Sequence, residues 1–224
     1  MNIRSIFFVF TFIFHSCLTV TEKELPPKIE IGLYPARLQE TLVVVEEYRN
    51  NIDPEKINQE DVYSEGEDQL LQFRDPVIGG RIKRSIATAF ADCRCFQNVA
   101  VAFKGVDDID LIKRRYKNIV YVKFAGFFNS QTAFNKILLG TFTLGLVPTW
   151  YFGARKAEFS VETNGIRQPS NLKYDRRFTL YSHLFLAYGL FNSKNVFGGY
   201  TGFYDLIQLA STEIYSKKFI PLDN

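Results

Sequence analysis

The strongest secondary-structure signal in the sequence is NIVYVKFAGFF, residues 118–128. Its β-branched and aromatic side chains favour a strand, and Asn129 and Ser130, which are typical of turns, end it. A second strand is predicted in CFQNVAVAF, residues 95–103, where Val99, Val101 and Phe103 recur at every second position. The polar run between the two strands predicts a connection with one helical turn.

Two segments outside these strands have the apolar spacing of amphipathic helices. In residues 78–92 the predicted buried stripe is Ile78, Ile82, Ile86, Ala89 and Phe90, and the basic residues Arg81, Lys83 and Arg84 face away from it. In residues 201–218 the predicted buried face is Phe203, Leu206, Ile207, Ala210 and Ile214. Lys217 and Lys218 follow at the helix end where positive charge favours the dipole.

Three further segments complete the predicted fold. Residues 29–35, IEIGLYP, and residues 157–165, AEFSVETNG, alternate in the manner of strands, and the second ends in an Asn-Gly turn. Residues 36–50 leave two interpretations open, because their apolar spacing suits a helix whereas three consecutive valines favour a strand. Together the segments predict an α+β fold with a small mixed sheet, two amphipathic helices and an apolar hairpin or insertion.

The first 16 residues have the parts of a secretory signal. Arg4 supplies a positive charge, residues 6–14 are apolar apart from Thr11, and the small Ser16 follows. This apolar run is far shorter than the ~20 residues that span a bilayer. The next residue is Cys17, so the sequence raises the question of how that cysteine is used.

The pair Ser16-Cys17 resembles the lipobox of bacterial lipoproteins, in the relaxed form found in spirochaetes. The resemblance implies that residues 1–16 are a signal peptide, and that Cys17 is acylated, with palmitate or a similar chain, as the new N-terminus. Residues 17–28 would then be a short tether, and residues 29–224 a single domain in the cell envelope. Ordinary secretion and an uncleaved anchor are the alternatives.

Two long runs carry no charged residue: residues 137–154 and residues 178–193. As a membrane hairpin they would enclose a loop with six basic and three acidic residues, placed in the cytoplasm. Against spanning, Gly140, Gly145 and Pro148 interrupt the first run, and the second is short. Packing in the core or at the lipid surface is the prediction, and spanning is the alternative.

The first apolar run also contains TFTLGLVPTW, residues 141–150. It resembles the Thr-Leu-Gly-x-x-Pro segment of a loose set of bacterial envelope lipoproteins of unknown function. In that set a helix and a Phe-x-x-Val strand entry precede the segment, as Phe96 to Val99 do here. A polar strand ending near glycine follows, as Glu158 to Gly165 do. The resemblance covers roughly residues 78–165.

No arrangement of residues predicts catalysis, a cofactor or a metal site. The mature chain has one histidine, His183, inside an apolar run, and the acidic stretch 51–69 lacks the spacing of a calcium loop. That stretch predicts a solvated loop or a disordered insertion. Cys93 and Cys95 have no second pair to complete a zinc site, and their close spacing would strain a mutual disulfide. Buried thiols are predicted, and pairing with another chain is the alternative.

The charge balance limits the classes of partner. With 27 basic and 24 acidic residues the chain carries +3, which is too small for a dedicated nucleic-acid binder. Of the basic runs, Lys113-Arg114-Arg115 is predicted to be a solvated connection, with contact to anionic headgroups as the alternative. The predicted partners are membrane lipid through acylated Cys17 and an envelope protein, with the oligomeric state open.

These observations predict a non-catalytic cell-envelope lipoprotein with a binding or structural role at the membrane surface. The first alternative is an integral membrane component of a transport or assembly complex, in which the two apolar runs span. The second is an envelope enzyme that uses His183 or the thiols of Cys93 and Cys95.

Overall fold

The computed structural model describes residues 16–21, 31, 36–50, 52, 56, 62–63, 67–128, 138, 149–168, 172–183 and 203–223. The chain divides into two compact units. The smaller unit contains residues 1–24, 127–154 and 176–201. The larger unit contains residues 25–126, 155–175 and 202–224.

The described residues form both strands and helices. In chain order they are β1 (Ser16–Thr21), β2 (Thr41–Arg49), α1 (Pro76–Ala91), β3 (Val99–Phe103), α2 (Ile109–Lys113), β4 (Asn118–Phe128), β5 (Thr149–Thr163), β6 (Ile166–Arg167), β7 (Leu172–His183) and α3 (Tyr204–Ser216). A 3-10 helix, Leu70–Arg74, precedes α1. The strand predicted at 118–128 and the two predicted amphipathic helices are therefore present.

The larger unit contains a mixed sheet with the strand order β7-β5-β4-β2-β3. Strand β2 pairs in parallel with both β3 and β4, whereas β5 turns at Asn164-Gly165 into the antiparallel β6. Parallel neighbours require crossover connections, which α1 and α2 supply. The predicted α+β class with a mixed sheet is confirmed.

The smaller unit contains strand β1, which pairs antiparallel with β7. Cys17 lies opposite Ser182, and Ser16 lies opposite His183. The predicted tether therefore begins within a strand, which its Thr19-Val20-Thr21 sequence favours. Residues 22–30 lie outside the described part of the chain.

Strand β2 decides the ambiguity of residues 36–50, and the helix interpretation is wrong. Leu42, Val43, Val44 and Val45 are at most 2% exposed, because β2 is covered on both faces and paired along both edges. The sequence of a strand in this position is a continuous apolar run without alternation. The three valines were the informative signal.

Alternate residues of the central strands form two faces of the sheet. The helix face packs against α1 and α3, and its buried side chains are Val43, Val45, Val120, Val122, Phe124, Ala157, Phe159 and Val161. On the opposite face, α2 covers an apolar corner formed by Leu42, Val44, Ala102, Ile119 and Tyr121. We call that second side the pocket face, because its remaining part is polar and open.

Helix α3 is buried on almost every side. Of the five positions predicted, Leu206, Ile207, Ala210 and Ile214 are buried, whereas Phe203, which precedes the helix, is half-buried. Gln208, Ser211 and Thr212 are also buried, because α3 contacts α1 as well as the sheet core. The side-chain amide of Gln208 donates to the carbonyl of Ala89 in α1. Ser211 donates to the carbonyl of Ile207 one turn earlier. The buried polar groups are thus satisfied, as packing between two layers requires.

Several segments differ from prediction or fall outside the described residues. The strand predicted at 29–35 is described only at Ile31, which belongs to no strand. Of the acidic stretch 51–69, Ile52, Val62 and Tyr63 are buried and so differ from a solvated loop. The apolar runs are described only at 138, 149–154 and 178–183, of which the two longer pieces belong to β5 and β7. No helix in the described part of the chain combines the length and apolar character needed to cross a membrane.

Cys93 and Cys95 form a disulfide with each other, which corrects the prediction of buried thiols. Arg94 between them adopts a left-handed backbone conformation with φ of 59°. This bend brings the two Cα atoms to 5.2 Å, inside the range of about 4.4–6.8 Å that disulfides use. The short spacing is therefore compatible with a bond, and both cysteines remain buried beyond the C-terminal end of α1.

Phe90 is the side chain of α1 whose loss should affect the fold most. It is fully buried, and its ring contacts Phe96 and Phe159 at centroid distances of 5.7 and 6.4 Å. We expect Phe90→Ala to lower the free energy of unfolding by about 3–5 kcal/mol, measured by urea denaturation. The control Leu111→Ala removes a side chain that is 54% exposed and should change it by about 0.5 kcal/mol or less. Equal effects of the two variants would contradict this core.

Candidate binding site

The polar part of the pocket face is built from the outward positions of neighbouring strands. Tyr121 and Lys123 lie on β4, whereas Lys156, Glu158, Ser160 and Glu162 lie at every second position of β5. Because side chains alternate between the two faces of a strand, these residues share one side of the sheet. Their partners across the sheet come from β2, β6 and β7.

A β-bulge in β2 places two successive carboxylates on this face. The parallel register runs from Val45 opposite Val122 directly to Glu47 opposite Lys123, so Glu46 is an extra residue. If β2 were a regular strand without a bulge, strict alternation after Val43 and Val45 would direct Glu47 into the core beneath the helices. The bulge reverses the alternation, and Tyr48 enters the core instead, where its ring packs against Phe73.

These strands enclose a pocket of about 210 Å³. It is lined by Glu46, Tyr121, Lys123, Glu158, Phe159, Ser160, Arg167 and Lys173. Pockets for drug-sized ligands and cofactors measure about 300–1,000 Å³. The pocket therefore has room for a small ion or a single side chain of a partner.

Arg167, in the short strand β6, is held by contacts with three other strands. Its guanidinium donates to both carboxylate oxygens of Glu46, at 3.4 and 3.2 Å, and to the hydroxyl of Ser160 at 2.9 and 2.6 Å. It also lies over the ring of Tyr121, 4.3 Å from the centroid. The planar guanidinium is suited to this combination of forked and stacked contacts.

Three further ion pairs lie on the pocket face. The Lys123 ammonium lies 2.7 Å from a carboxylate oxygen of Glu47. Glu158 pairs with Lys156 at 3.2 Å and, more loosely, with Lys173 at 3.7 Å. Opposite charges therefore alternate across the strands, which is the stabilising arrangement for cross-strand neighbours.

Tyr63, from the acidic stretch, covers one part of the pocket face. Its hydroxyl donates to the carbonyl of Lys123 at 3.2 Å, and its ring lies within 5.6 Å of the ammonium groups of Lys123 and Lys156. Burial raises the pKa of Tyr63 far above its ordinary value, and the negative charges of Glu158 and Glu47 raise it further. Tyr63 is therefore a neutral cover at physiological pH.

Arg167 and Lys173 are more exposed than the carboxylates that they pair with. The side chains of Arg167 and Lys173 are 48% and 49% exposed, compared with 14% for Glu46 and 20% for Glu158. The rim that an approaching molecule meets is therefore positive. A carboxylate from outside matches this rim, because an arginine fork recognises carboxylates with two parallel hydrogen bonds.

The residues singled out in the sequence do not meet at this pocket. Cys17 and His183 lie in strands of the smaller unit, on β1 and at the end of β7. Cys93 and Cys95 are joined to each other. Only Lys113 of the basic run approaches the pocket lining, with its ammonium 4.8 Å from the centre of the Tyr121 ring. In the described part of the chain, no cluster of three or more metal-ligating side chains is present.

The pocket residues were missed because each is unremarkable in the sequence. Alternation in AEFSVET does place Glu158, Ser160 and Glu162 on one side of a strand, and that signal was available. Alternation gives neither the order of strands nor the bulge at Glu46. Both are needed to bring Arg167 opposite Glu46.

No protein-family model matches the chain, and no match was found among curated proteins. The interpretation of the pocket therefore depends on its own geometry. Its ion pairs are mutually compensating, and neither His nor Cys is among its lining residues. These features favour recognition of a charged group.

Tyr121 provides a test of the pocket geometry in solution. Its hydroxyl donates to Glu162 at 2.7 Å, and burial together with this hydrogen bond raises its pKa well above 10. The unfolded chain ionises near pH 10, so this contribution to stability is fully present below pH 10 and is lost as the pH rises further. We expect Tyr121→Phe to lose stability less steeply above pH 10 than the wild type, measured by urea denaturation across that range.

A tyrosinate absorbance titration of the folded protein supplies the matching control. The difference between wild type and Tyr121→Phe should show ionisation well above pH 10, and Glu162→Gln should bring it to lower pH by removing the acceptor charge. An ordinary step near pH 10 in the wild type would mean that the hydrogen bond between Tyr121 and Glu162 does not form.

Proposed function

We propose that this chain is a lipid-anchored, non-catalytic protein of the bacterial cell envelope that acts by binding a protein partner. The observation that carries the proposal is Cys17 directly after the small Ser16 at the end of an apolar run headed by Arg4. A diacylated cysteine gives durable attachment, since each buried CH₂ contributes ~0.8 kcal/mol and one chain alone is marginal.

The disulfide between Cys93 and Cys95 supports an exported location. Disulfides persist in oxidising compartments such as the periplasm and the cell surface, whereas cytosolic thiols are kept reduced. Export is also what the positive and apolar parts of residues 1–16 predict. The disulfide and the first 16 residues, which are separate parts of the chain, therefore both favour a location outside the cytoplasm.

The pocket on the larger unit supports binding as the mode of action. Its volume suits one side chain, and its exposed rim residues Arg167 and Lys173 are both cations. We therefore assign it an acidic side chain of a partner protein, which would compete with Glu46 for the guanidinium of Arg167. An arginine already held in position loses little rotamer entropy when it makes such a bond.

Intact mass of the membrane-extracted protein tests the anchor. We expect the mature chain to begin at Cys17 and to carry added acyl mass, which Cys17→Ser removes. The matched control, Cys93→Ser with Cys95→Ser, should retain the acyl mass because those cysteines are not the acylated position. A membrane-bound wild-type protein of unmodified mass would contradict lipid anchoring.

Site-specific photo-crosslinking in intact cells tests the pocket. A photoreactive amino acid at Lys173 should give a discrete adduct with one envelope protein, and the same group at the exposed Lys104 should not. Adding Arg167→Glu should lower the yield at least about tenfold, because a hydrogen bond to a charged group contributes about 1.5–3 kcal/mol. Circular dichroism verifies that Arg167→Glu remains folded. An adduct that is insensitive to Arg167→Glu would contradict the assigned role of the pocket.

A further inference from the structure

The 3-10 helix and the first turn of α1 expose three large apolar side chains within eight residues of sequence. Leu71, Val77 and Ile78 are 54%, 59% and 52% exposed. Ile78 was predicted to lie on the buried stripe of the helix, and the structure places it outside. Ile86, Ala89 and Phe90 are buried as predicted, and Gly79 is the further buried position of α1.

Close packing between the 3-10 helix and α1 explains why these apolar side chains are exposed. Gly79 is buried against the 3-10 helix, where an added Cβ would collide with the carbonyl oxygen of Phe73. Asp75 begins α1 and accepts hydrogen bonds from the backbone N–H groups of Val77 and Ile78 at 2.8 and 2.9 Å. The apolar side chains are therefore presented by a well-capped helix start.

Exposed basic side chains accompany the apolar ones. Arg74, Arg81 and Arg84 are exposed, and none forms an ion pair with the part of the chain that the structure describes. Asp75 is the one acidic residue in the sequence between positions 69 and 91, and its carboxylate is engaged at the helix start. The local charge is thus positive in a chain whose total charge is only +3.

We infer that this surface docks on a lipid bilayer that contains anionic headgroups, an inference that rests on the membrane anchoring proposed above. We call it the α1 surface, and it consists of Leu71, Arg74, Val77, Ile78, Arg81 and Arg84. Apolar side chains flanked by arginine are the combination that binds at a membrane interface, with the apolar groups at the acyl boundary and the cations among the headgroups.

Charge complementarity favours lipid over a second copy of the chain. A symmetric dimer through the α1 surface would place the same patch on both sides of the interface. The three arginines of one copy would then face those of the other, with no free carboxylate in the patch to separate them. Anionic headgroups supply the missing negative charge, and an acyl group on Cys17 would keep the chain at a membrane.

Quenching by brominated lipid tests the inference on the full acylated chain in vesicles. Trp150 is first replaced by Phe, and one new tryptophan is placed at Val77. The matched control carries its tryptophan at Ile166, which is 71% exposed and lies in strand β6, outside the α1 surface. Vesicles contain brominated phosphatidylcholine, either alone or with phosphatidylglycerol.

We expect bromolipid to reduce the emission of Val77→Trp in vesicles containing phosphatidylglycerol and to leave the emission of Ile166→Trp unchanged. Adding Arg81→Glu and Arg84→Glu should abolish the quenching at position 77. Equal quenching at both positions, or none at position 77, would overturn the inference. An emission change that follows protein density and not bromolipid would identify a second copy as the occupant and would also overturn it.

Flotation of the same samples separates this inference from the proposed function. Protein that floats with the vesicles without quenching at position 77 retains its lipid anchor but does not use the α1 surface. Protein that fails to float unless its α1 surface is intact would contradict the acyl anchor, whereas quenching at position 77 would still support the surface.

Discussion

Glu46 is an extra residue in β2, and the bulge that it forms determines which side chains face the helices and which face the pocket. Strand β2 is paired in parallel on both edges, so a change of alternation within it affects the register with β4 directly. Before the bulge, Val43 and Val45 enter the helix-face core, and after it Tyr48 does so. Because of the bulge, Glu46 and Glu47 both lie on the pocket face, and neither carboxylate is buried in the apolar core beneath the helices.

Charge on the pocket face is tolerated because the half-buried carboxylates of Glu46, Glu47 and Glu158 each have a cationic partner. Lys156 shows the constraint most clearly, since its side chain is only 8% exposed and its ammonium lies 3.2 Å from Glu158. Removing one partner from such a pair leaves an uncompensated charge, which is more costly than the pair is favourable. The exposed cations at the rim are under less constraint, and Arg167 and Lys173 are therefore the groups free to exchange partners.

The elements predicted from the sequence are those whose patterns are local. The strand at 118–128 and the turn at Asn164-Gly165 have the predicted bounds, and α3 differs only at its ends. Residues 36–50 were ambiguous, because a strand buried on both faces loses the alternation that identifies strands. The disulfide between Cys93 and Cys95 was judged unfavourable from spacing alone, since the left-handed conformation of Arg94 is not visible in the sequence.

The candidate site was less predictable than the fold, because it depends on long-range pairing. Glu46 and Arg167 are separated by 121 positions in the sequence, and only the strand order together with the bulge brings them into contact. Ile78 shows the complementary difficulty. Its position in the helical pattern fits the buried stripe, yet the 3-10 helix packs on Gly79 instead and leaves Ile78 outside. Spacing predicts which residues can share a face, and the packing of neighbouring elements decides which face is buried.

The α1 surface and the pocket lie on opposite sides of the larger unit's sheet, and this arrangement relates the two proposed contacts. Helix α1 covers the helix face, so its exposed side points away from the pocket face. Each arginine near an anionic surface contributes about 1 kcal/mol, which is small beside the proposed diacyl anchor but sufficient to select an orientation. Docking through the α1 surface would therefore direct Arg167 and Lys173 away from the lipid. A positive rim facing a membrane would be neutralised by its headgroups, whereas one facing away stays available to an acidic partner.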